Sequence, residues 1–177
     1  MKPWMRSIAL VLFVGLAVHF GVVTTLPTVI MKVVLSRVSK RKAVNAATHA
    51  PAVSAKSRQV VMPSPDLLYT VCAFDLSTKT SLTITAQVPS TYWSLAVYDD
   101  STNNVYVTND KKVGPGLHTW KLQHSEKGNG GSKSPSKGKL IQSPSKKGLI
   151  LIRMLIHDRT KLKQLQAIQK KTRCKAD

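Results

Sequence analysis

The chain lacks the motifs that mark well-known reaction centres. It contains no Gly-x-Ser-x-Gly elbow, no phosphate-cradling glycine loop and no histidine at helical or strand spacing from a nucleophile. His49, His118, His124 and His157 are scattered without the paired spacing of metal ligands, and neither cysteine has a near neighbour of its own kind. We therefore assign no catalytic residue, no metal ligand and no cofactor from the sequence.

Acidic side chains are missing from the first 65 residues, and charge is spread unevenly along the chain. The 27 Lys and Arg residues outnumber the 8 acidic residues, which gives a formal net charge of +19. Residues 66–110, by contrast, contain a single lysine and five aspartates: Asp66, Asp75, Asp99, Asp100 and Asp110. A dedicated nucleic-acid domain more often has basic residues interleaved along the sequence with those of its folded core. Because the excess lies in the flanks, we do not expect nucleic acid to be the main partner.

Formal charge is also absent from residues 7–31, which lie between Arg6 and Lys32. A helix of this length exceeds the bilayer hydrocarbon core of about 30 Å. A cleaved secretory signal has a shorter apolar region and a cleavage site directly after it, whereas the nearest Ala-x-Ala here is at residues 50–52. We predict an N-terminal tail at residues 1–6 and an uncleaved transmembrane helix at residues 7–31, which makes the protein integral to a membrane.

Residues 32–58 are predicted to form a basic juxtamembrane helix and a linker. In residues 28–42 the charges lie largely apart from one predicted apolar face, which consists of Val29, Ile30, Val33, Val34 and Val38. Such a helix would be attracted to anionic lipid headgroups, although a helical stalk with solvated charges explains the pattern equally well. Residues 43–58 are rich in Ala and Ser and are predicted to form a linker.

Residues 59–177 are predicted to form an extramembrane β domain. In residues 81–88 apolar and polar side chains alternate with the period of a half-buried strand. Further strands are predicted at residues 67–76, 92–98, 105–108, 117–123 and 148–157. The last of these is almost entirely apolar, which favours a central place in a sheet. Short antiparallel strands at this spacing predict a mainly β fold, either a β-sandwich or a jelly-roll-like barrel.

A helix is predicted after the last of these strands. Asp158 is a suitable N-cap for a helix that begins near Arg159 and ends near Cys174. Residues 124–147 contain two copies of Ser-Pro-Ser-Lys and are rich in Gly and Lys, so they are predicted to be a flexible Lys-rich loop. A solvated surface loop is the favoured interpretation, and binding of the loop to nucleic acid or anionic lipid is the alternative.

The two cysteines are candidates for one disulfide bond. Cys72 lies in the first predicted core strand and Cys174 at the end of the predicted helix. In an exported domain such a bond would tie the helix to the sheet, whereas in a cytosolic protein the two would be separate buried thiols. Both interpretations remain open at this point.

Several aromatic residues recur through the predicted sheet: Tyr69, Tyr92, Trp93, Tyr98 and Tyr106. They could face a ligand in a cleft, which would suit an enzyme, but core packing and cross-strand pairing explain them as well. Asp99 and Asp100 could act as an acid and a base, but their polar turn is more typical of a solvated loop.

The order of several segments resembles one bacterial family. Residues 63–77, 88–110 and 148–158, with the C-terminal helix, resemble the small membrane-anchored proteins of the family called domain of unknown function 1254. The most specific part is Tyr92-Trp93-Ser94-Leu95, followed by Tyr98-Asp99. This resemblance implies a β-sandwich but transfers no catalytic residue.

The resemblance also implies a location. It places the protein in the inner membrane of a Gram-negative bacterium, as a single-pass protein with its β domain in the periplasm, where a Cys72–Cys174 disulfide could form. Charge counting alone would place the domain in the cytoplasm. We expect a binding or structural role in the cell envelope, with an envelope protein as a possible partner, and keep the enzyme with an aromatic-lined cleft as the alternative.

Overall fold

The computed structural model describes residues 3–41, 44–54, 57, 63–125 and 140–177. The described residues form a mainly β structure with a long apolar N-terminal helix and a short C-terminal helix, which confirms the predicted fold class. The helices are α1 (Pro3–Arg41) and α2 (Leu162–Gln169). The strands are β1 (Thr48–His49), β2 (Leu67–Asp75), β3 (Ser81–Val88), β4 (Trp93–Tyr98), β5 (Asn104–Asn109), β6 (Gly116–His124), β7 (Leu140–Ser143), β8 (Lys147–Leu155) and β9 (Arg173–Ala176).

The strands form two sheets. The first sheet has the order β1-β2-β8-β4-β5 and the second has the order β7-β6-β3-β9. Every pair is antiparallel except β6 with β7, which is parallel. β8 pairs with β2 on one side and β4 on the other, as its apolar sequence predicted. β3 lies in the second sheet although its neighbours in sequence lie in the first, so the short connections before and after it cross between the sheets.

The core lies between the two sheets and follows the predicted alternation. In β3 the side chains of Leu82, Ile84 and Ala86 are fully buried, whereas Thr83 and Thr85 are partly exposed. Trp93 from the first sheet and Trp120 from the second lie with ring centroids 6.2 Å apart, so this aromatic pair joins the two layers. A tilted pair at this distance adds about 0.5–1.5 kcal/mol to the stabilisation from burial.

The outer faces of the two sheets differ in polarity. The second sheet turns Thr83, Lys121 and Arg173 outward. On the first sheet, register places Val71 beside Leu151 and Leu151 beside Ala96, which makes an apolar outer row. Apolar surface of this kind must be covered to contribute to stability. α1 contacts β2 and β8 on this sheet.

α1 is one continuous helix with two different environments. Its N-terminal part has the length and composition of a membrane span, properties that a signal sequence shares, and it is not buried within the protein. Further along, Met31 is only 5% exposed, and residues at helical spacing from it, including Val34, Leu35 and Val38, are partly buried. Val29, Ile30 and Val33 remain exposed while Val34 and Val38 are partly buried, so the domain covers only part of the predicted apolar face. The residues of α1 that become buried are those that contact the β domain, and the order of apolar residues along the helix does not specify them.

The segment predicted as a linker is part of the first sheet where it is described. The backbone N–H of Asn45 donates to the carbonyl of Ala73 at 2.8 Å, β1 pairs with β2, and the N–H of Ala50 donates to Tyr69 at 2.9 Å. The strand is only two residues long, so its sequence carries no alternation. β1 forms because its backbone groups pair with the free edge of β2.

Two short strands lie in segments predicted to have other structure. β7 lies inside the predicted Lys-rich loop, where Ile141 points into the core; residues 126–139 of that loop lie outside the described residues. At the C-terminus Asp158 is an N-cap, as predicted, because its carboxylate accepts from the Thr160 N–H at 2.8 Å, but the element it caps is a 3-10 turn, Arg159–Lys161, that leads into α2. The helix then ends at Gln169, not near Cys174, and Cys174 lies in β9.

Candidate functional site

A cavity lies at the end of the sandwich where α1 meets the domain. It has a volume of about 470 Å³ and is bordered by turns that follow β2, β4 and β7. We call it the anchor-end cavity, and its lining residues are Ser77, Asp99, Asp100, His124, Pro144, Ser145, Lys146 and Lys147. These residues come from four separate parts of the sequence, so no local motif could have indicated them.

Asp99 organises the turn on one side of this cavity. It is only 5% exposed, and its Oδ1 accepts hydrogen bonds from the N–H groups of Ser101 at 2.9 Å and Asn103 at 2.8 Å. Its Oδ2 accepts from the Asn103 side-chain amide at 2.8 Å. Thr102 completes the turn with a φ of 67°. Asp99 is therefore a buried structural carboxylate, which differs from the solvated acid expected from sequence, whereas Asp100 is exposed as expected.

A short series of contacts joins the cavity to α1. The Oγ1 of Thr28 lies 3.5 Å from the Oγ of Ser101, and this Ser101 hydroxyl donates to Asp100 Oδ1 at 3.1 Å. The backbone N–H of Asp100 in turn donates to Ser145 Oγ at 3.2 Å, on the opposite wall of the cavity. The cavity thus lies within two side-chain contacts of the helix that carries the apolar segment.

One charge pair borders the cavity. Lys147 Nζ lies 2.9 Å from Asp75 Oδ2, and the Ser77 N–H donates to Asp75 Oδ1 at 2.9 Å. Partial burial alone would raise the pKa of the Asp75 carboxyl, but the hydrogen bonds from Ser77 and the charge of Lys147 outweigh burial and lower that pKa. Lys147 is thereby engaged, and the exposed charges that remain in the lining are Lys146 and Asp100.

We expect the Asp75→Asn protein to be less stable than the wild type near neutral pH but not in acid. Because the folded-state pKa of Asp75 is lowered, its contribution is present above its unfolded pKa of about 4 and is lost as pH falls through the folded value. The pair is partly solvated, so the loss at pH 7 should be no more than about 1 kcal/mol. Urea unfolding of the full chain in detergent micelles at neutral and acidic pH measures this difference.

A matched control for Asp75→Asn is Asp66→Asn. Asp66 pairs with Arg159 at 3.3 Å at the far end of the sandwich, and both side chains are mostly exposed. This pair should contribute less at every pH. A destabilisation by Asp75→Asn that is as large in acid as at pH 7 would contradict an electrostatic origin.

The two cysteines face each other between the sheets. Cys72 points inward from β2 and is 1% exposed, while Cys174 is in β9, opposite Ile84 of β3. The two side chains approach to 2.5 Å. The hydrogen bond with the Cys174 thiol, together with burial, raises the pKa of Cys72. A bond between them would join the two sheets, instead of tying a helix to a sheet as the sequence suggested.

The aromatic residues with a possible ligand role do not share one cleft. Trp93 is buried in the core, and the partly buried Tyr106 packs against this core. Tyr69 and Tyr98 belong to the outward-facing positions of the first sheet, and the hydroxyl of Tyr69 accepts from the Ser64 N–H at 2.9 Å. Tyr92 is 40% exposed. None of these five side chains lines the three cavities described for the domain.

Two other cavities lie elsewhere on the domain. One, of about 640 Å³, is bordered by α2 and by Pro89, Thr91 and His157 at the far end of the sandwich. The other, of about 380 Å³, lies beside Cys174 and is lined by His49 and by basic residues of the C-terminal segment. Within the described ranges, no three His, Cys, Asp or Glu side chains are grouped to hold a metal ion.

One family model matches the part of the sequence that forms the β domain. The family model described as protein of unknown function (DUF1254) matches residues 44–176. The chain belongs to this family. The DUF1254 match confirms the resemblance seen in the sequence, and it begins three residues after the end of α1. It therefore covers the segment of β1, which had been predicted as a linker.

Solved structures share this DUF1254 fold at low sequence identity. A protein from Vibrio parahaemolyticus is similar with a TM-score of 0.56 and 11% identity over 78% of this chain and 32% of its own. An uncharacterised protein from Burkholderia cenocepacia is similar with a TM-score of 0.50 and 14% identity over 81% of this chain and 39% of its own. The chain thus spans well under half the length of these two proteins. No curated protein matches it.

Proposed function

We propose that this DUF1254 protein is a single-pass protein of the bacterial inner membrane whose β-sandwich faces the periplasm and serves as a binding module of the cell envelope. One observation carries the proposal. α1 is continuous from an exposed apolar segment to a part that contains the buried Met31, and the helix contacts β2 and β8 of the first sheet. The helix and the domain therefore form one unit, and a span at the N-terminus of α1 would hold the sandwich against the bilayer.

The cysteine pair supports the periplasmic side. Disulfides form and persist in oxidising compartments, and Cys72 and Cys174 lie side by side between the sheets. The basic residues that follow the apolar segment argue for the opposite orientation, because positively charged flanks favour the cytoplasm. We give the cysteines more weight, because the basic residues that follow the apolar segment can also serve to attract lipid headgroups.

That second role is attraction to lipid. Lys32, Arg37 and Lys40 are exposed on α1 while Met31 and its neighbours face the domain. They lie within about three turns of the apolar segment, so they would be near the bilayer surface. Basic residues in this position add about 1 kcal/mol each to the attraction of an anionic leaflet.

Reporter fusions at the C-terminus test the orientation. The full chain fused to alkaline phosphatase should be active in cells, and the same fusion to β-galactosidase should be inactive. As a control, a phosphatase fusion that lacks residues 1–31 should be inactive because it is not exported. β-Galactosidase activity without phosphatase activity would contradict the periplasmic assignment.

Carbonate extraction tests the anchor separately. The full chain should remain in the membrane pellet at alkaline pH. A variant with Leu12→Arg and Leu16→Arg, in the middle of the apolar segment, should be released or fail to insert because each central arginine costs about 2.5–3.5 kcal/mol. Recovery of a shortened wild-type chain in the soluble fraction would show a cleaved signal and overturn the anchor.

A further inference from the structure

We propose that the anchor-end cavity binds the headgroup of an aminophospholipid, with the lipid phosphate at Lys146 and the primary ammonium group at Asp100. The inference rests on the proposed anchoring of α1 in the membrane and adds a ligand class to it. Three observations carry it: the depth of the cavity relative to the apolar segment, the charges left exposed in its lining and the hydrogen bonds that hold its walls.

The position of the cavity follows from the length of the apolar segment. Residues 7–26 are enough to cross a hydrocarbon core of about 30 Å. If residues 7–26 fill the hydrocarbon core, the last residues of the predicted span 7–31 extend past it, and Thr28, a rise of about 3 Å beyond Leu26, would lie in the headgroup layer. Ser101, beside Asp100, lies 3.5 Å from this Thr28. The cavity rim is therefore at the depth of lipid phosphates and amines.

The exposed face of α1 agrees with this depth. Beyond Thr28 one side of the helix is covered by the domain at Met31, while Val29, Ile30 and Val33 on other sides remain more than 40% exposed. Apolar side chains exposed at this point are suited to the boundary between headgroups and acyl chains. The domain and the bilayer would thus meet at the same two turns of helix.

The lining offers one exposed charge of each sign. Lys147 is engaged by Asp75, and the Asp99 carboxylate accepts three hydrogen bonds within its own turn. Lys146 is exposed and, within the described ranges, has no carboxylate at ion-pair distance; Asp100 is exposed and accepts from Ser101. A purely anionic ligand would leave Asp100 opposed to it, whereas a phosphate with a tethered ammonium satisfies both charges.

The walls are held by hydrogen bonds that do not involve the two charges. The Asp100 backbone N–H donates to Ser145 Oγ, and that hydroxyl donates to the Lys147 carbonyl at 2.6 Å. The turns that carry Asp100 and Lys146 are therefore linked before any ligand binds. A volume of about 470 Å³ lies within the common range for small-ligand sites.

Binding of short-chain lipids to the purified full chain in maltoside micelles tests the proposal. The probes are dihexanoyl phosphatidylethanolamine, phosphatidylcholine and phosphatidylglycerol, titrated by native mass spectrometry. We expect the ethanolamine lipid to bind at least tenfold more tightly than the other two, because choline has no N–H to donate and glycerol has no positive charge. Asp100→Asn should remove this preference, and Lys146→Gln should weaken binding of all three lipids about tenfold.

Two distant variants serve as controls. Lys112→Gln and Asp66→Asn change exposed residues at the opposite end of the sandwich and should leave all three affinities unchanged. Thermal unfolding in the same micelles should show that the Asp100 and Lys146 variants remain folded. If Asp100→Ser behaves like Asp100→Asn, the effect belongs to the lost charge and not to a disturbed turn.

Several results would overturn the inference. Preference for phosphatidylglycerol, with tighter binding after Asp100→Asn, would show a general anion site. Equal affinity for free O-phosphoethanolamine and the ethanolamine lipid would point to a soluble ligand. Equal affinities for all lipids in every variant would show that there is no headgroup site. Each of these results leaves carbonate extraction and the reporter fusions unaffected, so failure of this inference is distinguishable from failure of the proposed anchoring.

Discussion

Replacing Cys174 with alanine is expected to lower the free energy of unfolding of the oxidised protein by about 4 kcal/mol. A bond between Cys72 and Cys174 would close a loop of about 100 residues, for which the chain-entropy model gives up to about 4.7 kcal/mol. Cys174 is the better position for the test because it lies in an edge strand and is only partly buried, so alanine there leaves little cavity. Urea unfolding of the full chain in micelles, followed by Trp fluorescence, measures the loss.

The reduced protein supplies the control for this prediction. With excess dithiothreitol, wild type and Cys174→Ala should differ by no more than about 1 kcal/mol, since only a small contact is lost. Alkylation of the native protein isolated without reductant should label neither cysteine. Two labelled thiols, or an equal effect of Cys174→Ala with and without reductant, would contradict a structural disulfide.

The environment of the pair predicts slow thiol exchange. An attacking thiol would reach Cys174, which lines an open cavity, and would expel Cys72 as the leaving thiol. Of the causes that raise the pKa of Cys72, burial still applies after Cys174 has been attacked, and a leaving thiol of higher pKa departs more slowly. A bond between these two cysteines would therefore exchange slowly with free thiols.

Replacing Gly148 with alanine is expected to destabilise the domain by about 3 kcal/mol, at the upper end of the usual cost of overpacking. Gly148 is the second residue of the central strand β8, where the ring of Phe74 covers it. An added Cβ would lie 2.6 Å from Phe74 Cζ and would clash with the backbone carbonyl of Tyr98. The ring can move but the carbonyl belongs to the neighbouring strand, so the sheet itself must shift. The same urea unfolding experiment in micelles measures the loss.

A surface glycine gives the matched control for Gly148. Gly114 lies in the turn between β5 and β6, and a Cβ there would meet no atom within 4 Å. Gly114→Ala should change stability by less than about 0.5 kcal/mol. If the two alanine variants had similar stabilities, the close packing at the start of β8 would not be a determinant of stability.

Local pattern was sufficient where one side of an element is buried. The alternation in residues 81–88 predicted β3 with its observed bounds, because burial of Leu82 and Ile84 on one face is a local property. The apolar run of β8 predicted a central strand, and Asp158 predicted the capped 3-10 turn that leads into α2. Each of these signals depends on side chains within one turn or one strand of each other.

Local pattern was insufficient for short edge strands. β1, β7 and β9 have two to four residues, and their pairing depends on a neighbouring strand that supplies free backbone groups. The loop before β3 was also ambiguous, since a connection of a few residues serves either a hairpin or a crossing between sheets. The four successive strands of residues 66–110 are consequently divided between two layers.

By itself the sequence determined that this protein has an apolar N-terminal helix followed by a mainly β domain of a known family, because hydropathy and alternation are read residue by residue. Only the tertiary structure decided which sheet each strand joins, which face of α1 packs on the domain and that Cys72 meets Cys174 across the core. The anchor-end cavity is also a feature that only the tertiary structure decided. Its Asp100 and Lys146 are 46 positions apart in the chain, and contacts between distant turns arise from packing, which no local pattern encodes.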